Sequence, residues 1–320
     1  PAIEAVQKDK IKIIPTHQKK ILLHWLKNIE DWNISRQIVW GIRIPAWFKD
    51  EKIHIGIKPP EEKGWTQDPD VFDTWFSSGQ WPYLTLGFKD NGKHEHDFKD
   101  FYPTSVMETA SDILFFWVAR MLMLGIYRTK KIPFKHVYLH GLVRDKDKQK
   151  MSKSKGNVID PLGVAEEYGA DAIRAALVAG NTPGRDTAIS ENKIRGYRNF
   201  STKLWNVARF VSMQQSNFGD SISKTDKAHL KKLTTIKSKV TKHLENFEFH
   251  LALETIYHYI WHEFADKIIE ESKPHPNLKL LSVILEECLT MLHPFMPFIT
   301  EEIYQTLHAK EKQLLMVKKW

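Results

Sequence analysis

The chain has 320 residues, 42% hydrophobic and 27% charged, which excludes a disordered or fibrous protein and leaves room for two domains with their own cores. Its net charge of +8 favours a polyanionic partner, and its single cysteine, Cys288, excludes a disulfide framework or a multi-cysteine zinc site. No apolar stretch is long enough to span a bilayer, since Phe115–Gly125 is broken by Arg120, and no secretory signal is legible; a cytoplasmic protein without a membrane segment is expected.

Residues 1–50 mix short extended segments with one helical stretch, Gln18–Ile29. The Lys- and Glu-rich run from Asp50 to Gly64, around Pro59-Pro60, reads as an exposed connection. Asp70-Val71-Phe72-Asp73-Thr74-Trp75-Phe76-Ser77-Ser78-Gly79-Gln80-Trp81-Pro82 follows, with aromatic residues beside acids and serines. Asp90–Lys99 is polar, with a turn at Asn91-Gly92; its His94-Glu95-His96-Asp97 lacks a partner at ligand spacing and reads as a solvated turn. Asp112–Leu124 is apolar on nearly every side and predicts a buried helix.

Val137–Val143 predicts a strand, and a loop crowded with Lys146, Lys148, Lys150, Lys153 and Lys155 comes next. Asp160-Pro161 then supplies an N-cap acid and a proline at the first helical position. A strand, a cationic flexible loop and a helix N-terminus are how a protein gathers positive charge around a polyphosphate. Segments 65–185 alternate β and α as a parallel doubly wound sheet would.

Beyond Ser190 only helices are expected, over 191–214, 225–242, 249–272, 278–293 and 297–307. Leu251, Ile256, Tyr259, Ile260 and Phe264 give one of them an apolar stripe. His258 and His262 are four apart but lack a third ligand, so no metal site is expected. Cys288 lies in an apolar run and reads as a buried thiol. The last stretch, 308–320, is basic with a short apolar run, Leu314–Val317.

The word Lys150-Met151-Ser152-Lys153-Ser154, with Gly156-Asn157-Val158-Ile159-Asp160-Pro161 and Tyr168-Gly169-Ala170-Asp171-Ala172-Ile173-Arg174, resembles the second signature of class I aminoacyl-tRNA synthetases. The resemblance implies that the loop closes over ATP and that Lys150 and Lys153 serve amino-acid adenylation, Lys153 stabilising the transition state as charge builds on pyrophosphate. It places ATP contacts at His140, Gly141, Met151, Ser152, Lys153 and, through the ribose, Asp112. The segment 70–82, with Phe101-Tyr102-Pro103-Thr104-Ser105 and Asp112–Met121, is similar to valine-specific members of the family. There Trp75, Ile113 and Trp117 are expected to form an apolar wall for a branched side chain, Ile113 and Trp117 being four apart on one helix face. Where the family has glycine two residues before its aspartate, this chain has Ala110.

Asp31–Gln37 and Gly41–Trp47 resemble the family's return from the editing insertion, and Gly196–Asn206 and Leu292–Glu302 its anticodon-binding helices. The expected fold is α/β then all-α: the second half of a Rossmann-like nucleotide-binding domain, then a helical bundle. The expected domains are 1–60, closing the editing insertion; 61–190, with the lysine loop; and 191–320, binding the anticodon. The His-x-Gly-His signature of the first catalytic half does not occur in these residues, so this chain alone is expected not to adenylate valine. Implied partners are valine, ATP with Mg2+ as the substrate complex, tRNA(Val) and the missing N-terminal half. The alternatives are a stand-alone tRNA-binding module and a sister enzyme for isoleucine or leucine.

Overall fold

A computed structural model of the protein describes residues 1–145, 147, 149, 151, 160–214, 222–308 and 313–320. They form two compact units, Pro1–His140 and Gly141–Trp320.

The first unit opens with α1 (Ala2–Gln7), β1 (Lys12–Ile14) and α2 (His17–Lys27). Short antiparallel pieces follow: β2 (Ser35–Arg36), β3 (Ala46–Lys49), β4 (Lys52–Ile55), β5 (Thr66–Gln67) and β6 (Val71–Phe72). β3 pairs with both β4 and β5, and β2 with β6. The expected connection 50–64 is therefore partly strand. Lys52-Ile53-His54-Ile55 has the alternation of a strand, and Asp50 turns the chain at φ +50°. α3 (Thr74–Ser78), α4 (Trp81–Leu84) and α5 (His96–Phe101) lead to β7 (Thr104–Ala110). A helical run, ending in α6 (Ala119–Thr129), crosses back to β8 (Phe134–His140).

β7 and β8 are parallel neighbours, and β1 adds on the other side of β8, with Ile13 beside Val137. That parallel sheet uses residues 12–14, outside the expected 65–185, because three residues are too few to show a period. Its core joins Val6, Ile11, Leu22, Leu114, Val118, Met121, Leu122, Val137 and Leu139, all buried.

The helix expected over 112–124 is continuous but uneven. Ser111–Ile113 is a 3-10 turn and Leu114–Val118 a π turn before α6 begins. Nor is it buried on every side, since Phe116 is 48% exposed. A wider turn sets consecutive side chains at a smaller angle than the roughly 100° of an α-helix. Phe116 and Trp117 can then both face α3.

In the second unit β9 (Val143–Arg144) precedes α7 (Pro161–Tyr168) and α8 (Ala170–Val178), and pairs in parallel with β10 (Thr187–Ala188). The helices that follow are α9 (Glu191–Ser212), α10 (Lys224–Glu245), α11 (Phe249–His258), α12 (Glu270–Ser272), α13 (Leu278–Leu292) and α14 (Pro297–Leu307). A π-helical stretch, Tyr259–Ile269, fuses α11 to α12, so 249–272 is one helical run as expected. Ser190 caps α9, Ser223 and Asp226 form a capping box on α10, and Asn277 caps α13. Phe200, Leu204, Leu253, Ile256, Tyr259, Phe264, Leu281, Ile284, Cys288 and Leu292 fill one apolar core. Burial pushes the Cys288 thiol far above its ordinary pKa, so it is an inert packing group. Among the described residues no helix is long and apolar enough to cross a membrane.

Candidate amino-acid pocket and phosphate loop

α3 is five residues long and owes its start to Asp73, whose Oδ1 accepts from the Trp75 amide at 2.7 Å. At its end Gly79 is buried against α6, where a Cβ would lie 2.9 Å from a Leu124 methyl. The helix thus presents Trp75 from a fixed seat. Trp75 stacks on Phe116, with centroids 5.8 Å apart and planes at 29°. Trp117 donates its indole N–H to the Ser78 carbonyl at 3.1 Å and packs 6.4 Å from Trp81. Trp75 therefore stands on α3 and Trp117 borders it, while Ile113 is half-buried at the end of the 3-10 turn. Phe116, Trp81 and Ser78 are the neighbours that sequence reasoning missed. An i, i+4 rule selects Ile113 and Trp117 and passes over Phe116, which the π turn brings to α3.

Asp112 is exposed in the same 3-10 turn, just past the carboxyl end of β7. It does not act as a side-chain cap there. The carboxyl ends of parallel strands are where open α/β sheets receive ligands. Ala110 stands at φ −71°, ψ 147°, ordinary extended backbone, so a residue other than glycine brings no strain. His140 ends β8 beside Ala110, and its Nδ1 pairs closely with the Glu108 carboxylate. Glu108 also escaped the sequence reading. Neighbouring parallel strands put it near His140, and nothing in the local pattern announces that.

In the second unit, Gly141 has a packing cause. A Cβ there would fall 1.9 Å from the Arg185 carbonyl oxygen, so only glycine lets the 185–186 backbone pass. Met151 packs against the buried cluster of Tyr168, Ala172, Ala176, Ile189 and Ile194. Lys150, Ser152 and Lys153 lie outside the described residues. Asp160 caps α7 as the sequence predicts, accepting from the Leu162 and Gly163 amides at 3.1 Å each.

Two motifs of the second unit meet each other. Asp171 on α8 is buried and accepts from the Phe298 amide at 3.2 Å and the Ile299 amide at 2.6 Å, the first turn of α14. Arg174 donates to the carbonyls of Pro294 at 3.1 Å and Phe295 at 3.2 Å. Burial pushes the Asp171 carboxyl above its ordinary pKa, and the two amides partly offset that. His293 Nδ1 meets Thr300 Oγ1 at 2.8 Å, and burial holds this histidine below its ordinary pKa. These side chains clasp helices together. Exposed positive charge is dense on α10, whose seven lysines include the exposed Lys224, Lys227, Lys231, Lys239 and Lys242.

A family model described as tRNA synthetases class I (I, L, M and V) matches residues 1–63 and 57–190. The chain belongs to the class I tRNA synthetase family. A second model, the anticodon-binding domain of tRNA ligase, matches 226–320. The valine–tRNA ligase of Carboxydothermus hydrogenoformans is 43% identical over 99% of this chain. That of Syntrophotalea carbinolica is 45% identical over 96%. The chain spans 38% of the length of the first relative and 37% of the second. Among solved structures, the LeuRS–tRNA–LeuAMS complex of Agrobacterium radiobacter K84 superposes with a TM-score of 0.76 at 20% identity. It covers 94% of this chain and 44% of that one. The methionyl-tRNA synthetase of Mycobacterium tuberculosis, bound to methionyl-adenylate, gives 0.71 at 21% identity, covering 98% of this chain and 63% of that one. These likenesses establish the fold of a class I synthetase: a parallel α/β unit followed by helices.

Proposed function

We propose that this chain works as part of a valine–tRNA ligase, activating valine with ATP and transferring it to tRNA(Val) in the cytoplasm. What carries the reading is 43% identity along 99% of the chain to a protein of that name. In the reaction a valine carboxylate oxygen attacks the α-phosphorus of ATP, the bond to the β-phosphate bridging oxygen breaks, and pyrophosphate leaves. Valyl-adenylate then gives its acyl group to a terminal ribose hydroxyl of the tRNA and releases AMP. Mg2+ enters with ATP as the substrate complex.

In this reading Trp75, Ile113 and Trp117 border the valine side chain, Asp112 meets the ribose, and His140, Gly141, Met151 and Ser152 line the ATP site. Lys150 and Lys153 neutralise the charge that develops on pyrophosphate, an interaction stronger in the transition state than in the ground state. Residues 1–60 close the editing insertion, 61–190 carry the lysine-loop half of the catalytic domain, and 191–320 engage the anticodon arm. The α10 lysines supply phosphate contacts whose strength falls with salt.

The test is valine-dependent ATP–pyrophosphate exchange. The chain alone, which contains no His-x-Gly-His, is expected to be silent. Complemented with a class I half that carries that signature, it should exchange, and Lys153→Ala should remove most of the rate. Robust exchange by the chain alone overturns the need for a second half. Exchange driven by isoleucine or leucine but not valine overturns the substrate.

A further inference from the structure

We propose that Asp73 is the positioning residue that sets where the Trp75 indole stands, and thereby the size of the side-chain pocket; this rests on Trp75 belonging to the valine pocket. Asp73 is 5% exposed, and taking a carboxylate out of water costs several kcal/mol unless its oxygens are well paired. A serine or threonine would cap a five-residue helix without that cost. The acid therefore does something a neutral cap does not.

Both carboxylate oxygens are committed. Oδ1 holds the Trp75 amide at 2.7 Å. Oδ2 accepts from the Trp32 indole N–H at 3.2 Å and pairs closely with the Arg36 guanidinium. The Asp73 amide donates to the Ile34 carbonyl at 2.7 Å, so the Trp32–Arg36 segment is strapped to the start of α3. The Arg120 guanidinium lies 3.6 Å from the Trp32 ring centre and 5.8 Å from that of Phe116, and Phe116 stacks on Trp75. The contacts close a ring: Asp73, Trp75, Phe116, Arg120, Trp32 and back to Asp73. Trp75 is thus held through its backbone from one side and through its ring from the other.

Charge keeps the ring closed. Arg120 Nη1 is buried with no hydrogen-bond partner; burial disfavours its charge, the Asp73 carboxylate favours it from a distance and Arg36 opposes it. Removing the Asp73 charge leaves Arg36 and Arg120 to repel each other. Arg120 would then leave the Trp32 face, Phe116 would follow, and Trp75 would lose its stop.

The test is the ratio of kcat/KM for valine over isoleucine in the complemented enzyme, a quantity that the folded fraction does not change. Asp73→Asn keeps size and an acceptor for the cap but removes the charge. It should lower the ratio about tenfold, within the roughly 10–200-fold that one methylene is worth in a fitted pocket. Trp32→Phe, which removes one donor and keeps a ring for Arg120, should lower it less. Near-ultraviolet circular dichroism of the chain alone should show a weakened aromatic signal in Asp73→Asn, with far-ultraviolet signal retained. A ratio equal to wild type in Asp73→Asn, even with a lower rate, overturns the inference. If the unsubstituted enzyme shows no valine-dependent exchange, the valine reading falls instead.

Discussion

Aromatic residues are held in two ways in this molecule, and the contrast separates the proposed pocket from a core. Around α3, Phe116 and Trp81 are 48% and 49% exposed, and Trp75 and Trp117 are half-buried and held by a carboxylate-capped helix and a carbonyl. In the bundle, Phe200 and Phe264 are fully buried and packed only on their neighbours. Burying a large apolar side chain is worth about 1.5–3 kcal/mol, so leaving several partly open forgoes stability that the bundle collects. A region that accepts that loss while fixing its rings with polar contacts is where the proposed function seats the valine side chain.

The sharpest way to break this comparison is to truncate one ring from each region. Phe264→Ala should cost about 3–5 kcal/mol in urea unfolding and leave the valine-to-isoleucine ratio of the complemented enzyme unchanged. Trp75→Ala should cost less stability and lose most of the ratio. Equal behaviour of the two would remove the distinction.

A smaller effect is expected at the clasp. Asp171→Ala strips the acceptors from two amides at the start of α14 and should destabilise the second unit by about 1–2 kcal/mol, without touching selectivity. Asp171→Asn, which keeps one acceptor, should recover part of that loss. A selectivity change in either variant would mean the clasp reaches the pocket.

The smallest effect is one of pH. Burial holds His293 below its ordinary value, against the pull of Glu301 and Asp171 and with Arg174 adding to the depression. As pH falls from 6.5 towards the folded-state value, the unfolded chain binds the proton first, so this group's contribution is fully present above 6.5 and is lost on acidification. Burial raises the Asp171 pKa and gives the opposite sign over a window that starts at its unfolded value, so acidification there favours the folded form. The urea midpoint should therefore drop less between pH 7.5 and about 5.5 in His293→Gln than in the unsubstituted protein. Parallel pH profiles for the two proteins would rule out the histidine as the cause.

The helices of the second unit were legible because their apolar stripes are local, and the structure adds the caps. Ser190, Ser223 and Asn277 stand where the helices start, and the stripe through Ile256, Ile260 and Phe264 is buried as its spacing predicts. The first unit was less so. Lys12–Ile14 becomes a sheet strand only because β8 lies alongside, and Lys52–Ile55 only because β3 turns back on it. The proposed pocket rests on Trp75 and Trp117, yet the contacts that Phe116 and Trp117 make with α3 and α4 come through a change of helical pitch at Leu114–Val118. Glu108 beside His140 and Asp171 beneath α14 are pairings across 32 and 127–128 residues, beyond any local pattern.

By itself the sequence determined the chemistry on offer: a lysine-rich loop before a capped helix, aromatic residues near a short turn, one buried thiol and a basic helical tail. Those are properties of composition and short spacing, and they survive whatever the chain packs against. Only the tertiary structure decided which groups act together. A hydrogen bond or ring stack needs partners within a few ångströms, and for Asp73, Trp32, Arg120, Phe116 and Trp75 that proximity is made by folding residues 32–120 back on themselves.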